Sequence, residues 1–249
     1  MHTFADKVVL ITGGAAGIGS AAALRFAARG ARVVVTGRRA AQLEAFAAGH
    51  ASIDYLVADA GKPEDAARTI EAAVARHGRL DVLVNNAGAA TVMPLLQASV
   101  DKVNALLAVN VVGPSLLAAA AVPHLARQQG SIVNVSSTYG HKAAANLSHY
   151  AGSKAALEHL TRCWSLELAP MGVRVNAVAA GPTETEFLAT RMGLNAEQVE
   201  AIKASERERI PLGRRGQPDE VAHWIVALAE PSIWMTGQVV TADGGLNVT

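Results

Sequence analysis

The chain has 249 residues, 51% of them hydrophobic and 17% charged, with 22 Lys and Arg against 21 Asp and Glu and a net charge of +1. This composition suits a large buried core and excludes a disordered or tail-bearing protein; the near-neutral balance carries no basic signature, so nucleic acid is not an expected partner. The single cysteine, Cys163, sits in an apolar helical stretch, which excludes an internal disulfide and a cysteine-rich metal site, and no metal is expected.

No Pro/Gly/Ser-rich linker, charge block or internal repeat divides the chain, so residues 1–249 are predicted to form one domain. The N-terminus lacks a basic segment followed by an apolar signal core, and no apolar run reaches the ~18 residues of a membrane span. A soluble, cytoplasmic protein with no membrane partner is expected.

In chain order, the first element is a β-branched apolar run over residues 7–11. It leads directly into Thr12-Gly13-Gly14-Ala15-Ala16-Gly17-Ile18-Gly19 and then an Ala/Leu/Arg helical pattern over residues 20–29. Strand, glycine turn and helix in that order suit a dinucleotide. Glycines at 13, 17 and 19 permit the tight turn and the approach of a pyrophosphate, and the helix N-terminus presents free N–H groups to it. Contacts are expected from Gly13, Ala16, Gly17, Ile18 and Gly19. The spacing G-x-x-x-G-x-G differs from the G-x-G-x-x-G fingerprint.

The second strand is predicted over residues 31–36, and its end should meet the adenosine ribose. An NAD site would place a carboxylate there. The chain instead reads Gly37-Arg38-Arg39, with no further carboxylate until Glu44. Arg38 and Arg39 can accept a ribose 2′-phosphate through charged, forked hydrogen bonds. NADP(H) is therefore favoured, with NAD(H) possible.

Further strand-like runs follow at 53–57, 80–84, 131–135, 173–178 and 238–241, separated mostly by Ala- and Leu-rich helical patterns. Seven strands alternating with helices predict a Rossmann-like, doubly wound α/β fold, with a parallel sheet covered on both faces. Ligands in such sheets bind at the carboxyl ends of the strands. Asp59, Asn85-Asn86-Ala87-Gly88, Ser137 and Gly181-Pro182 all fall there.

Tyr150 and Lys154 stand four residues apart, so on a helix they share one face. A phenol titrates near ~10, and a cation held beside it stabilises the phenolate and lowers that value. Tyr150 then becomes a general acid/base, with Ser137 a hydroxyl donor to an oxygen that gains negative charge. The triple points to proton chemistry on a carbonyl or an alcohol.

The ordered set of motifs resembles the short-chain dehydrogenase/reductase family, in its branch of about 250 residues, over nearly the whole chain. The resemblance implies that Thr12-Gly13-x-x-x-Gly17-x-Gly19 is the cofactor turn and that Asp59 contacts the adenine. It implies that Asn85, Asn86, Ala87 and Gly88 stabilise the strands and floor the cofactor site, and that Asn110, Ser137, Tyr150 and Lys154 form a catalytic tetrad. Lys154 would also bind the nicotinamide ribose, and Asn110 would anchor a water linking Lys154 to solvent; as a plain polar residue in an apolar helix, Asn110 can equally be a structural helix-to-loop link.

Residues 216–222, 236–238 and 243–245 resemble the family's C-terminal signatures. Where the family usually has Pro-Gly, this chain has Ala180-Gly181-Pro182, followed by Thr183 and Thr185, which would contact the nicotinamide carboxamide and the phosphates. Residues 186–209 sit where the family places a mobile substrate lid, and Phe187, Leu188, Met192, Leu194, Val199 and Ile202 give it an apolar face. His141, Asn146, Leu147 and His149, before Tyr150, are further substrate candidates. The family commonly pairs helices corresponding to residues 105–121 and 151–168 between subunits, which predicts a homotetramer. A small carbonyl or alcohol substrate is expected. The alternatives are a reductase of 3-oxoacyl thioesters on a carrier protein and, in another class, a nucleotide-sensing protein on the same fold.

Overall fold

The computed structural model describes residues 3–249. Seven parallel strands lie in the order β3-β2-β1-β4-β5-β6-β7. They are β1 (Val8–Thr12), β2 (Arg32–Gly37), β3 (Ile53–Val57), β4 (Val82–Asn85), β5 (Ser131–Ser137), β6 (Arg174–Ala180) and β7 (Val239–Ala242). Each lies within two residues of a run expected from the sequence. Between and after them come α1 (Gly17–Ala28), α2 (Ala40–Ala48), α3 (Pro63–His77), α4 (Val100–Leu107), α5 (Gly113–Gln128), α6 (Ser148–Leu168), α7 (Phe187–Met192), α8 (Ala196–Arg209) and α9 (Pro218–Ala229).

Successive strand side chains point to opposite faces of the sheet, and both faces here are covered. Val9 and Ile11 of β1 pack with Ala22, Ala23 and Phe26 of α1 and with Val221 and Ile225 of α9. Val8 and Leu10 pack with Ile70 and Ala73 of α3 and with Leu117 and Ala121 of α5. All five residues of β1 are therefore buried, which is why the strand reads as a continuous apolar run without polar alternation.

From β3 at one edge the chain returns to β4, beside β1, and then builds outward in the other direction. The order reverses between β1 and β4, and a crevice opens there at the carboxyl ends of the strands.

Helices α4 and α5 join through a π turn at Ala108–Val112. Together they make a helix over Val100–Gln128 that is long and apolar enough, by length and composition, to cross a membrane. A search for unbroken apolar runs misses it because Asn104, Asn110 and Ser115 interrupt the sequence. In the fold this helix packs on α3, β4 and β5.

Candidate active site

Between β1 and α1 the chain turns through Gly13 and Gly17, whose φ angles are 63° and 53°; glycine adopts this left-handed region without the steric cost of a Cβ. A Cβ at Gly19 would stand 2.4 Å from the Gly13 carbonyl oxygen, so this close approach also requires glycine. Ala16 caps α1 without any side-chain hydrogen bond, leaving the N–H groups of the first turn to an external partner. Gly13, Ala16, Gly17 and Ile18 line a cavity of about 1130 Å³, while Gly19 lies outside its lining. An uncapped helix N-terminus without flanking side chains fits a dinucleotide diphosphate.

The two arginines after β2 are placed differently. Arg39 lines the cavity with Gln42, whereas Arg38 stands just outside, with Nη1 4.0 Å from Asp59 Oδ2. Asp59 does not line the main cavity; its Oδ1 accepts from Gly61 N at 3.0 Å and so shapes the turn after β3.

The floor of the cavity is built from buried amide and hydroxyl groups. Thr12 Oγ1 accepts from the backbone N–H groups of Asn86 at 3.0 Å and Ala87 at 2.9 Å. Asn86 Nδ2 donates back to the carbonyls of Thr12 at 2.8 Å and Gly13 at 3.1 Å. These bonds tie the end of β4 to the glycine turn, and Asn86, Ala87 and Gly88 line the cavity. Below them, Asn85 Nδ2 donates to Asn134 Oδ1 and Asn134 Nδ2 to Thr161 Oγ1, each at 2.9 Å, linking β4, β5 and α6.

Ser137, Tyr150 and Lys154 come together on one wall of the same cavity. Ser137 ends β5, and its Oγ accepts from Tyr139 N at 3.3 Å. Tyr150 and Lys154 lie one helical turn apart on α6. Lys154 is 4% exposed, and its Nζ donates to the Val135 carbonyl at 2.9 Å. Burial brings its pKa down to about 8, against the opposing pull of Glu158.

The expectation that Lys154 lowers the Tyr150 pKa is corrected here. Desolvation holds the phenol above its ordinary value, a hydrogen bond with the Ser137 side chain pulls it down, and Tyr139 pushes it up. Burial penalises a phenolate more strongly than the local donors favour it.

Asn110 lies in the π turn and is fully buried. Its Oδ1 accepts from Ala89 N at 2.8 Å, and its Nδ2 donates to Ala89 O and Ser153 Oγ, each at 2.9 Å. The side chain is thus a structural clamp between helix and loop, outside the cavity lining. It nevertheless adjoins the other tetrad members: a Cβ at Gly88 would meet Lys154 Nζ at 3.6 Å and Asn110 Oδ1 at 3.7 Å. Ser153, the third partner of Asn110, carried no signal of this role in the linear order.

Past β6, Gly181, Pro182, Thr183 and Thr185 also line the cavity. Thr185 packs over the glycine turn, its Cγ2 lying 3.0 Å from where a Gly17 Cβ would be. Ala180, in place of the family's usual proline, pairs with Ser137 of β5 and Ala242 of β7, so β6 runs unbroken to the site.

The lid expected at 186–209 is α7 and α8. Of its six apolar candidates, Phe187, Leu188, Met192 and Ile202 line the cavity, whereas Leu194 and Val199 do not. An Asn195–Gln198 capping box starts α8. Arg215, 4% exposed, holds this segment in place. Its Nη1 pairs with Glu206 Oε2, its Nε lies 3.3 Å from Glu184 Oε1, and its Nη2 donates to the Thr183 carbonyl at 2.6 Å. Lys203 adds a contact to Glu184 at 3.1 Å. Adjacent arginines at 214 and 215 carried no signal that one would be buried. Of the loop candidates before Tyr150, Asn146 and Leu147 line the cavity; His141 turns instead toward Glu158, 3.3 Å away, and His149 lies beside Ser148.

A family model described as Enoyl-(Acyl carrier protein) reductase matches residues 13–247. An uncharacterised oxidoreductase of Mycobacterium tuberculosis is 38% identical over 99% of this chain and 94% of its own length. A 3-oxoacyl-[acyl-carrier-protein] reductase of Thermotoga maritima is 38% identical over 96% of this chain and 97% of its own. Among solved structures, a short-chain dehydrogenase/reductase of unknown function from Caenorhabditis elegans, with cofactor, superposes with a TM-score of 0.91 at 33% identity, covering 99% of this chain and 97% of that one. With a family match over residues 13–247, relatives 38% identical over nearly the whole chain and a superposition at a TM-score of 0.91, the chain belongs to the short-chain dehydrogenase/reductase family of NAD(P)-binding oxidoreductases.

Proposed function

We propose that the protein is an NADP(H)-dependent oxidoreductase that interconverts a ketone or aldehyde with the corresponding alcohol, with Tyr150 as general acid/base. The observation that carries this reading is the convergence of Ser137, Tyr150 and Lys154 on the same cavity that the glycine turn lines. A bound nicotinamide dinucleotide supplies the hydride in reduction and takes it in oxidation.

Ser137 orients the substrate oxygen, and Tyr150 donates its proton to that oxygen in reduction or removes it in oxidation. The raised phenol pKa suits the donor role, since the proton stays on Tyr150 until negative charge develops on the substrate. Lys154 holds the cofactor ribose and balances the phenolate. Phe187, Leu188, Met192 and Leu147 give the substrate end an apolar lining, which favours a substrate with an apolar body around its carbonyl.

Preference for the 2′-phosphate rests on Arg38 and Arg39 at the end of β2, one beside Asp59 and one in the cavity wall. Assembly as a homotetramer belongs to the same reading. Val112 of the π turn, Leu116 of α5 and Leu166 of α6 are exposed apolar residues on the helices expected to pair, and light scattering giving a stable monomer mass would overturn it. A second reading, reduction of a 3-oxoacyl thioester on a carrier protein, is favoured by the likeness to the 3-oxoacyl-[acyl-carrier-protein] reductase of Thermotoga maritima.

Steady-state oxidation of NADPH and NADH against a panel of ketones, sugars, steroids and acyl thioesters tests these readings together. Turnover of a free ketone, faster with NADPH, is the expected result. Preference for 3-oxoacyl thioesters would establish the second reading, and preference for NADH would remove the role given to the arginines. Tight NADPH binding without turnover of any carbonyl would return the chain to the nucleotide-sensing class.

A further inference from the structure

Tyr150, Lys154 and Glu158 are spaced four and four along α6, so the three side chains form one row on its buried face. Glu158 is 3% exposed, and a carboxylate taken out of water is costly unless it is paired and hydrogen-bonded. Its partners come from the end of β5 and the turn that follows. Ser136 Oγ donates to Oε1 at 2.8 Å, and His141 Nδ1 lies 3.3 Å from both carboxylate oxygens. The other ring nitrogen, His141 Nε2, is 3.4 Å from Thr241 Oγ1 of β7. The carboxylate also leaves no room at residue 140, where a Cβ would fall 2.2 Å from Glu158 Oε1. Ser136, Gly140, His141 and Glu158 thus form one fitted assembly behind the lysine of the active site, and the chemistry above uses none of them.

We propose that Glu158, clamped by Ser136 and His141, is a positioning residue that keeps Lys154 in its ammonium form beside Tyr150. This rests on the reading of Lys154 as the support of Tyr150 and the cofactor ribose. Burial works against the ammonium, and the nearby carboxylate is the group that opposes it.

The surrounding elements offer few rival charges. The turn after β5 contributes Tyr139 and His141, β5 the neutral Ser136 and Asn134, the π turn Asn110, and β7 Thr241. The charged residue of β6, Arg174, is directed to the carbonyls of Leu228, Ala229 and Glu230. Asp101 and Lys102 of α4 are exposed, and Asp243 is bonded to Thr138 Oγ1 at 3.0 Å.

The test compares wild type, Glu158→Gln, Glu158→Asp and Lys154→Met in the full chain, reading kcat and NADPH affinity, by cofactor fluorescence, across the pH range. Removing the carboxylate's charge should move the alkaline limb of both profiles about one unit lower in Glu158→Gln, while values near pH ~6 stay within about twofold of wild type. Glu158→Asp, which keeps the charge, should restore the limb. Should Glu158→Gln fail to fold, Glu158→Met, uncharged and of similar length, reports the same limb. A folded, uncharged variant whose limb coincides with wild type would overturn the proposal. A Lys154→Met variant with undiminished turnover would overturn instead the reading of Lys154 on which the proposal rests.

Discussion

In and behind the cavity lining, Thr12, Asn86 and Asn110 hold backbone groups through partly buried, neutral hydrogen bonds between 2.8 and 3.1 Å. Across from them, the lid helices are held by charges: Arg215 on Glu206 and Glu184, and Lys203 on Glu184. Neutral bonds of this kind are directional and insensitive to salt, so they fix where the cofactor and the reacting oxygen lie. The Arg215–Glu206 pair is buried and little screened, whereas the Lys203–Glu184 contact nearer the surface is screened by salt and weak, so the outer part of the lid can yield while the floor stays in place. A site that must position a hydride and yet admit a substrate gains from having one wall of each kind.

The largest expected effect tests whether the fixed wall is the reactive one. Tyr150→Phe keeps the ring and its packing but deletes the proton donor, so turnover should fall by ~10²–10⁴-fold with fold and NADPH binding retained. Ser137→Ala should lower turnover with less effect on cofactor affinity. A folded Tyr150→Phe variant with near-normal turnover would remove the chemistry from this wall.

Next in size is the cofactor's adenosine end. Arg38→Ala and Arg39→Ala should each weaken NADPH by about 10–100-fold, the scale of one charged hydrogen bond, with little change for NADH. Calorimetric titration of both cofactors decides it. Equal losses for NADPH and NADH would mean that the arginines do not discriminate.

The floor itself can be loosened with Thr12→Val, which leaves the N–H groups of Asn86 and Ala87 without their acceptor. A loss of about 1–3 kcal/mol in denaturant unfolding is expected, roughly the cost of unsatisfied buried donors. By contrast, raising salt to ~0.5 M should raise KM by about twofold through the partly exposed Lys203–Glu184 contact of the lid, while leaving the unfolding free energy nearly unchanged. Equal sensitivity of both quantities to salt would erase the distinction between the two walls.

A pH measurement sharpens the comparison further. Burial lowers the Lys154 pKa to about 8, so its ammonium is present below that pH and lost as pH rises through it. NADPH affinity, read by fluorescence, should therefore decline from about pH 8 upward. Tyr150, shifted in the opposite direction, keeps its proton over that interval, so the decline should not appear in Lys154→Met.

Much of the fold was legible because it is written in short, local patterns. Short apolar runs marked all seven strands, and in β1 the run is unbroken because a strand covered on both faces has no polar side to show. The glycine turn was legible because positive φ and close backbone approach admit little else at Gly13, Gly17 and Gly19. The row of Tyr150 and Lys154 followed from helical spacing, and one more step of four would have reached Glu158.

Where side chains pair across the sheet, the linear order says nothing. His141 was read as a substrate contact and proves to clamp Glu158, and Val199 of the lid lies away from the cavity. Arg214 and Arg215 are identical letters in adjacent positions. One makes an exposed bond to Glu220, while the other is buried against Glu206 and Glu184.

Local periodicity and stereochemistry were enough for the sequence alone to determine the α/β class, the strand positions, the glycine turn and the helical row of Tyr150 and Lys154. The tertiary structure decided the electrostatic environment of those groups: a phenol held above its ordinary pKa, a lysine brought down to about 8, and an asparagine used as a clamp. Those outcomes depend on desolvation and on partners brought from distant parts of the chain, quantities that exist only once the elements have packed.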